Sequence, residues 1–318
     1  MRLKTNSAIR RWIMAMLFLT AAMLFVTACG SNGEDFKSGE GKLKVTTTIG
    51  MIADVVNNIG GEHVEAIGLM GPGVDPHLYK ASQGDIRKLD EADVIFYNGL
   101  HLEGKMAEML EKVGKTKTTV AVSSQLGETE LRSDPSGAGV HDPHIWFNVR
   151  NWISAAEVIR DTLVEKDPAN AENYKKNAAD YLAKLEELDH YAKEQIASIP
   201  DASRVLVTAH DAFGYFGDAY GIKVMGLQGM STASEYGTKD VSNLRNYLVD
   251  NKIKAVFVES SVPKKSIEAV IEGAKQMGHD VAIGGELFSD AMGKSGTVEG
   301  TYIGMVRHNV DTIVHALK

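Results

Sequence analysis

Between residues 167 and 200 the chain runs "DPANAENYKKNAADYLAKLEELDHYAKEQIASIP", 34 residues without a glycine in a protein that has 31 of them. Proline occurs only at the edges: Pro168 suits a first helical turn and Pro200 a stop. Tyr174, Ala178, Tyr181, Leu185, Leu188, Ala192 and Ile196 recur at spacings of three and four, and the opposite face is Lys and Glu. This predicts one long helix over 166–200, about 45 Å from end to end. It stands between two halves of similar length, so its single apolar stripe is expected to pack along both, in preference to forming a dimerising coiled coil. A helix used as a backbone in this way permits little hinge bending.

Both halves alternate strand-like and helical segments. In the first, "LKVTTTIG", "HVEAIGLM", "ADVIFYNG" and "TTVAVSS" read as strands, with helices at "MIADVVNNIGG" and "ASQGDIRKLDEA". The second runs "RVLVTAHDAFGYFGDAYG", "IKVMGLQG", "DVSNLRNYLVDNK", "IKAVFVESS", "SIEAVIEGAKQMG" and "VAIGGELF". Such alternation indicates βαβ units and mainly parallel sheets. The halves also look like diverged copies. "GLM" at 68–70 matches "GLQ" at 226–228, and "DIRKL" at 85–89 matches "DVSNL" at 240–244. The predicted fold is α/β, with two similar (β/α)4-type lobes at 43–165 and 201–318 joined by the long helix.

The N-terminus stands apart from these lobes. Arg2, Lys4, Arg10 and Arg11 precede an uncharged, mostly apolar run from Trp12 to Ala28, the layout of a secretory signal over 1–28. Small residues in "VTAC" lead to Cys29, the single cysteine, which excludes an intramolecular disulfide. The segment resembles a bacterial lipobox, in which the cysteine is acylated. Residues 29–42 are then a lipidated, flexible tether, too poor in apolar side chains to fold. The expected location is the extracytoplasmic face of the cell membrane, held there by acylated Cys29. Removing 1–28 leaves 30 basic against 42 acidic side chains, a net charge of −12, which argues against nucleic acid as a partner.

With only 7 prolines and 10 histidines, the chain nevertheless holds Asp-Pro-His twice, at 75–77 and 142–144. Proline fixes its own φ and pushes the preceding aspartate to extended geometry, so each histidine leaves a stiff loop in one direction. Ligands of open α/β sheets bind beyond the carboxyl ends of the strands. His77 and His144 lie in such loops of lobe one. His210 ends the first strand of lobe two, and Asp290 follows its last strand. Three imidazoles and a carboxylate are a nitrogen and oxygen set suited to a divalent transition metal. Asp75, Asp142 and Glu259 are placed behind these ligands as hydrogen-bond partners. His141 is the competitor for the role of His144. His101 is expected to pack against or cap a helix, and His63, His190, His279, His308 and His315 to be surface or core.

"GVDPHLYKAS", "NGLHLEGKM", "HDPHIWFN", "VTAHDAFGYF" and "LFSDAMG", taken with the lipobox and the linking helix, resemble the metal-binding lipoproteins of bacterial manganese and zinc ABC importers. The resemblance covers essentially the whole mature chain and is nearest to the manganese-binding members. It implies metal held between two lobes and delivered to a membrane permease, with ligands falling on His77, His144, His210 and Asp290. It implies Mn²⁺ as the bound ion, with Zn²⁺ as the alternative. Some manganese members carry Glu where this chain has His210. Zinc-specific members carry a His-rich acidic loop in the first lobe, and "SSQLGETELRSDPSGAGV" has no histidine. A protein of this kind is not an enzyme. The competing readings are a zinc hydrolase, which needs an open coordination position beside a general base, and a surface adhesin.

Overall fold

The computed structural model describes residues 41–133 and 139–318. The signal segment, Cys29 and the tether up to residue 40 lie outside the described residues.

Lobe one is built from β1 (Leu43–Thr47), α1 (Gly50–Gly60), β2 (Val64–Gly68), α2 (Gln83–Glu91), β3 (Val94–Tyr97), α3 (Ala107–Gly114) and β4 (Thr118–Ala121). Its four strands are all parallel, in the order β2-β1-β3-β4. Val45 is the register point, opposite Ala66 on one side and Val94 on the other. The central strands are buried on both faces, at Val45, Thr46 and Thr47 of β1 and Val94, Ile95 and Phe96 of β3, as a parallel sheet covered by helices requires. Ser82 caps α2 by accepting the Asp85 amide, while Asp85 accepts the Ser82 amide in return, a reciprocal cap that fixes where the helix begins.

Lobe two contains β5 (Val205–His210), α6 (Gly214–Tyr220), β6 (Lys223–Gln228), α7 (Thr238–Asp250), β7 (Ala255–Glu259), α8 (Lys265–Gln276), β8 (Ala282–Leu287) and α9 (Tyr302–Leu317). Here the strands form two parallel pairs, β5 with β6 and β7 with β8. β5 lies beside β7, which gives the spatial order β6-β5-β7-β8. That is the order of lobe one, as the repeat in the sequence predicts.

Two helices join the lobes. α4 (Val149–Lys166) leads through a 3-10 turn at Pro168–Asn170 into α5 (Ala171–Ala197). The seven residues of the predicted stripe on α5 are its buried residues. Burying Leu185, Leu188 and Ile196 contributes roughly 1.5–3 kcal/mol each. The first half of α5 is tied to lobe one: Tyr181 donates to Asp54 Oδ2 at 3.0 Å, and Asn177 Nδ2 to the Ile59 carbonyl at 3.1 Å. The second half is tied to lobe two, where Tyr191 donates to Asp311 and Asp189 Oδ1 accepts from Tyr220 at 3.1 Å. One stripe therefore serves both lobes. α4 is a further long helix that the sequence reading does not separate from lobe one. Its buried residues include Val149, Trp152, Ala155, Ala156, Ile159 and Leu163.

Candidate metal centre

The two Asp-Pro-His segments build the same local turn. Asp75 Oδ1 accepts the His77 amide at 2.9 Å, and Asp142 Oδ1 accepts the His144 amide at 3.0 Å. An aspartate that bonds the backbone two residues ahead makes an Asx turn. Each histidine thus leaves its loop from a backbone locked by its own tripeptide. His210 comes from the end of β5. There the chain folds back tightly over Gly226, where a side chain would put a Cβ 2.6 Å from the Asp211 amide nitrogen. Asp290 follows β8.

These four side chains converge. Each offers a ligand atom, and the atoms lie within 4.8 Å of one another. His144 Nε2 is 3.3 Å from His77 Nε2 and 3.1 Å from His210 Nε2. Asp290 Oδ1 lies 3.3 Å from His144 Nε2, and Oδ2 lies 3.6 Å from His210 Nε2. All four residues are buried, with His144 and His210 fully so. A cleft of about 350 Å³, lined by His77, His101, Pro143 and Gly229, gives access from solvent.

The hydrogen bonds behind the cluster decide where the protons sit. His210 Nδ1 is 2.9 Å from the Gly229 carbonyl, which can only accept, so Nδ1 is protonated. His144 Nδ1 is 2.8 Å from Asp142 Oδ1, with the same consequence. In neutral rings, both Nε2 atoms would then present lone pairs to each other at 3.1 Å. That arrangement needs a cation at the centre, either a proton or a metal ion. The ionisation balance agrees. Burial pulls His77 down to about 3 and His210 down to about 4, against the attraction of Asp290. For His144 burial also lowers the pKa, but Asp142 and Asp290 outweigh it and raise it to about 10. Burial opposes ionisation of Asp290, and the three surrounding histidines reverse that and hold it well below the carboxylate range. In the metal-free cluster the positive charge is favoured on His144, between Asp142 and Asp290, over His77 and His210. Both Asp290 oxygens are buried with no well-formed hydrogen bond among the described residues, and the nearest donor is His144 Nε2, 3.3 Å from Oδ1. An ionised carboxylate in that position is costly unless a cation meets it. The donor set fits a divalent transition metal.

Asp75, Asp142 and Glu259 each bond the backbone amide of one histidine of the cluster. Asp142 holds both the backbone and the ring of His144. Asp75 holds the His77 amide and accepts from Thr232 of lobe two at 2.6 Å. Glu259 accepts the His210 amide at 2.8 Å, and burial raises its pKa to about 8. His141 stays outside the cluster, paired with Glu128 at 3.4 Å. His101 neither packs nor caps: it is exposed, with a φ of 63°, in the turn that precedes α3. His63 bonds Asn173 of α5, and His279, on the turn after α8, bonds the Ile253 carbonyl. Cys29 lies outside the described residues.

Sequence reasoning missed Asn98 and Glu103. Glu103, buried, accepts from the Thr48 hydroxyl and the Asn98 amide, each at 2.7 Å. Asn98 Nδ2 in turn donates to the Pro143 carbonyl at 2.9 Å, immediately before His144. The only available signal was that both lie in "NGLHLEGKM". Arg132 was also missed. It bridges Asp218 on α6 at 3.1 Å and approaches Asp142 Oδ2 at 4.0 Å.

A family model described as zinc-uptake complex component A, periplasmic (ZnuA), matches residues 45–316. The manganese-binding lipoprotein MntA of Bacillus subtilis is 54% identical over 305 residues, 96% of this chain and 98% of the relative. The zinc-binding protein TroA of Treponema pallidum is 47% identical over 96% of each chain. A solved structure of the periplasmic zinc-binding TroA of Treponema pallidum superposes with a TM-score of 0.85 at 49% identity, covering 87% of this chain and 99% of that one.

Proposed function

Because the chain belongs to the ZnuA family of periplasmic metal-uptake components, we propose that it captures a divalent transition metal between its lobes and hands it to the permease of an ABC importer. The observation that carries this reading is the buried cluster of three imidazole nitrogens around the Asp290 carboxylate, with ligand atoms within 4.8 Å of one another. His77, His144, His210 and Asp290 hold the ion. Asp75, Asp142 and Glu259 orient the histidines. Relatives include a manganese-binding lipoprotein, a zinc-binding protein and a manganese ABC transporter substrate-binding lipoprotein, and neither the hydrolase nor the adhesin alternative is favoured by them. No helix of the described residues is long and apolar enough to cross a membrane. The protein is held at the extracytoplasmic face by acylated Cys29.

Manganese is the transported ion in this reading, although zinc binds at least as tightly. For a fixed set of nitrogen and oxygen ligands Mn²⁺ stands at the weak end of the divalent series. Selection then rests on metal supply, on geometry and on release to the permease. A bidentate Asp290 would raise the coordination number above four, which suits Mn²⁺ better than a structural zinc site.

Titration with Mn²⁺ and Zn²⁺ tests the site. Asp290→Ala is expected to lose most affinity for both ions, whereas His101→Ala keeps it; wild-type binding in Asp290→Ala would remove the reading. Growth of a deletion strain tests the cargo. Added manganese is expected to rescue it in manganese-depleted medium, and rescue by zinc alone would reassign the ion.

A further inference from the structure

His144 and Asp290 come from different lobes, yet the side chain two residues after the first is hydrogen-bonded to the backbone one residue before the second. The Trp146 indole Nε1–H donates to the Ser289 carbonyl at 3.0 Å. The Tyr302 hydroxyl, on the first residue of α9, donates to the Trp146 carbonyl at 2.6 Å. Trp146, Ser289 and Tyr302 are fully buried, and the Trp146 ring meets the His144 ring edge to face at 5.2 Å. We propose that Trp146 is a positioning residue for the cargo metal: its indole hydrogen bond sets the span between His144 and Asp290 and so tunes which ion the site prefers.

The proposal rests on metal being held by His77, His144, His210 and Asp290. An ion that binds only one juxtaposition of the lobes sees its affinity scaled by the fraction of molecules in that juxtaposition. Losing the indole donor leaves a buried carbonyl without a partner and lowers that fraction. The two ions do not feel this equally. Zn²⁺ completes a tetrahedral shell with three imidazoles and one carboxylate oxygen, tolerating some displacement of Asp290. Mn²⁺ favours higher coordination and oxygen ligands, so it depends on both carboxylate oxygens being in place.

Trp152 supplies an internal control. It is fully buried and stacks on Tyr302 at 5.2 Å, but its indole nitrogen has no hydrogen-bond partner among the described residues. Trp146→Phe and Trp152→Phe remove similar volumes from the core, and only the first removes a bond between the lobes. Competitive titration is expected to show Mn²⁺ binding weakened about tenfold in Trp146→Phe, as for one lost buried hydrogen bond. Zn²⁺ should weaken less, so that the Mn²⁺-to-Zn²⁺ affinity ratio falls at least about threefold, while Trp152→Phe leaves the ratio unchanged. An unchanged ratio in Trp146→Phe, or an equal fall in both variants, overturns the proposal. If wild-type protein itself fails to bind either ion, the site reading fails instead.

A measurement on unaltered protein covers the case in which Trp146→Phe does not fold. Linkage is reciprocal, so a bond that favours metal must itself be favoured by metal. Hydrogen exchange at the Trp146 indole is expected to slow about tenfold on Mn²⁺ loading. An exchange rate that is the same with and without Mn²⁺ overturns the proposal.

Discussion

In both Asp-Pro-His segments the aspartate accepts the amide of the histidine two residues on, at 2.9 Å in the first and 3.0 Å in the second. Beyond that turn they diverge. Asp142 turns the same oxygen to the His144 ring at 2.8 Å and is itself buried, with Arg132 near its other oxygen. Asp75 is half-buried, and its second oxygen crosses to Thr232 of lobe two. The first tripeptide is a bracket tied to the opposite lobe, and the second is a bracket that also sets the protonation of its histidine. An identical local motif therefore aims two ligands, while its surroundings decide which of them carries charge. His144 is raised to about 10, whereas His77 is lowered to about 3.

The largest effect expected from this difference is on affinity. Asp142→Asn keeps an acceptor for the His144 amide but weakens the grip on the ring, and should cost ~10–100-fold in metal binding, as for residues that orient a ligating histidine. Asp75→Asn, which touches no ring, should cost less than about tenfold. Equal losses, measured by titration with Mn²⁺, would dissolve the distinction between the two brackets.

A pH series sharpens the comparison next. The His144 pKa lies above its ordinary 6.5, at about 10, so its contribution to the stability of metal-free protein is complete below pH 6.5 and disappears as pH rises towards 10. Metal takes the place of that proton. The rise in Tm on Mn²⁺ loading should therefore grow steadily above pH 6.5. His77 and His210 are lowered to about 3 and 4, so in the folded protein they gain protons only in that acid range. Their share of stability is lost as pH falls below 6.5. A Tm increment that stays flat above pH 6.5 would mean that His144 does not hold the proton.

The smallest effect concerns the prolines. Pro76→Ala and Pro143→Ala each enlarge the conformational freedom of the unfolded chain and should cost roughly 0.4–1 kcal/mol of stability. Pro143 should show the additional change in metal affinity, because a freer backbone there loosens the aim of the carbonyl that accepts from Asn98, next to His144. Chemical denaturation and titration of both variants check this; a larger affinity change in Pro76→Ala would reverse the order.

Much of this was legible in the sequence because it depends on short-range geometry. An Asx turn closes within three residues. A stripe at spacings of three and four points one way on any helix, which is why the seven residues from Tyr174 to Ile196 are the buried ones. Strand and helix alternation fixed parallel sheets through the need for crossovers. α4 was harder to separate because it packs against both α5 and α1. Its buried positions then spread over adjacent residues such as Ala155 and Ala156, and no narrow stripe forms.

What the tertiary structure alone decided is the set of contacts between distant segments. Nothing near Trp146 in the chain points to Ser289, 143 residues away, and nothing in "NGLHLEGKM" tells that Asn98 supports Pro143. The same holds for protonation. Asp290 is an ordinary aspartate by sequence, and its buried carboxylate is held ionised by three imidazoles brought to it from separate segments of both lobes. Covalent geometry fixes a residue's direction over a few bonds. Its charge state depends on neighbours brought by the fold, because in a low-dielectric interior an ion is stable only beside a compensating charge or donor.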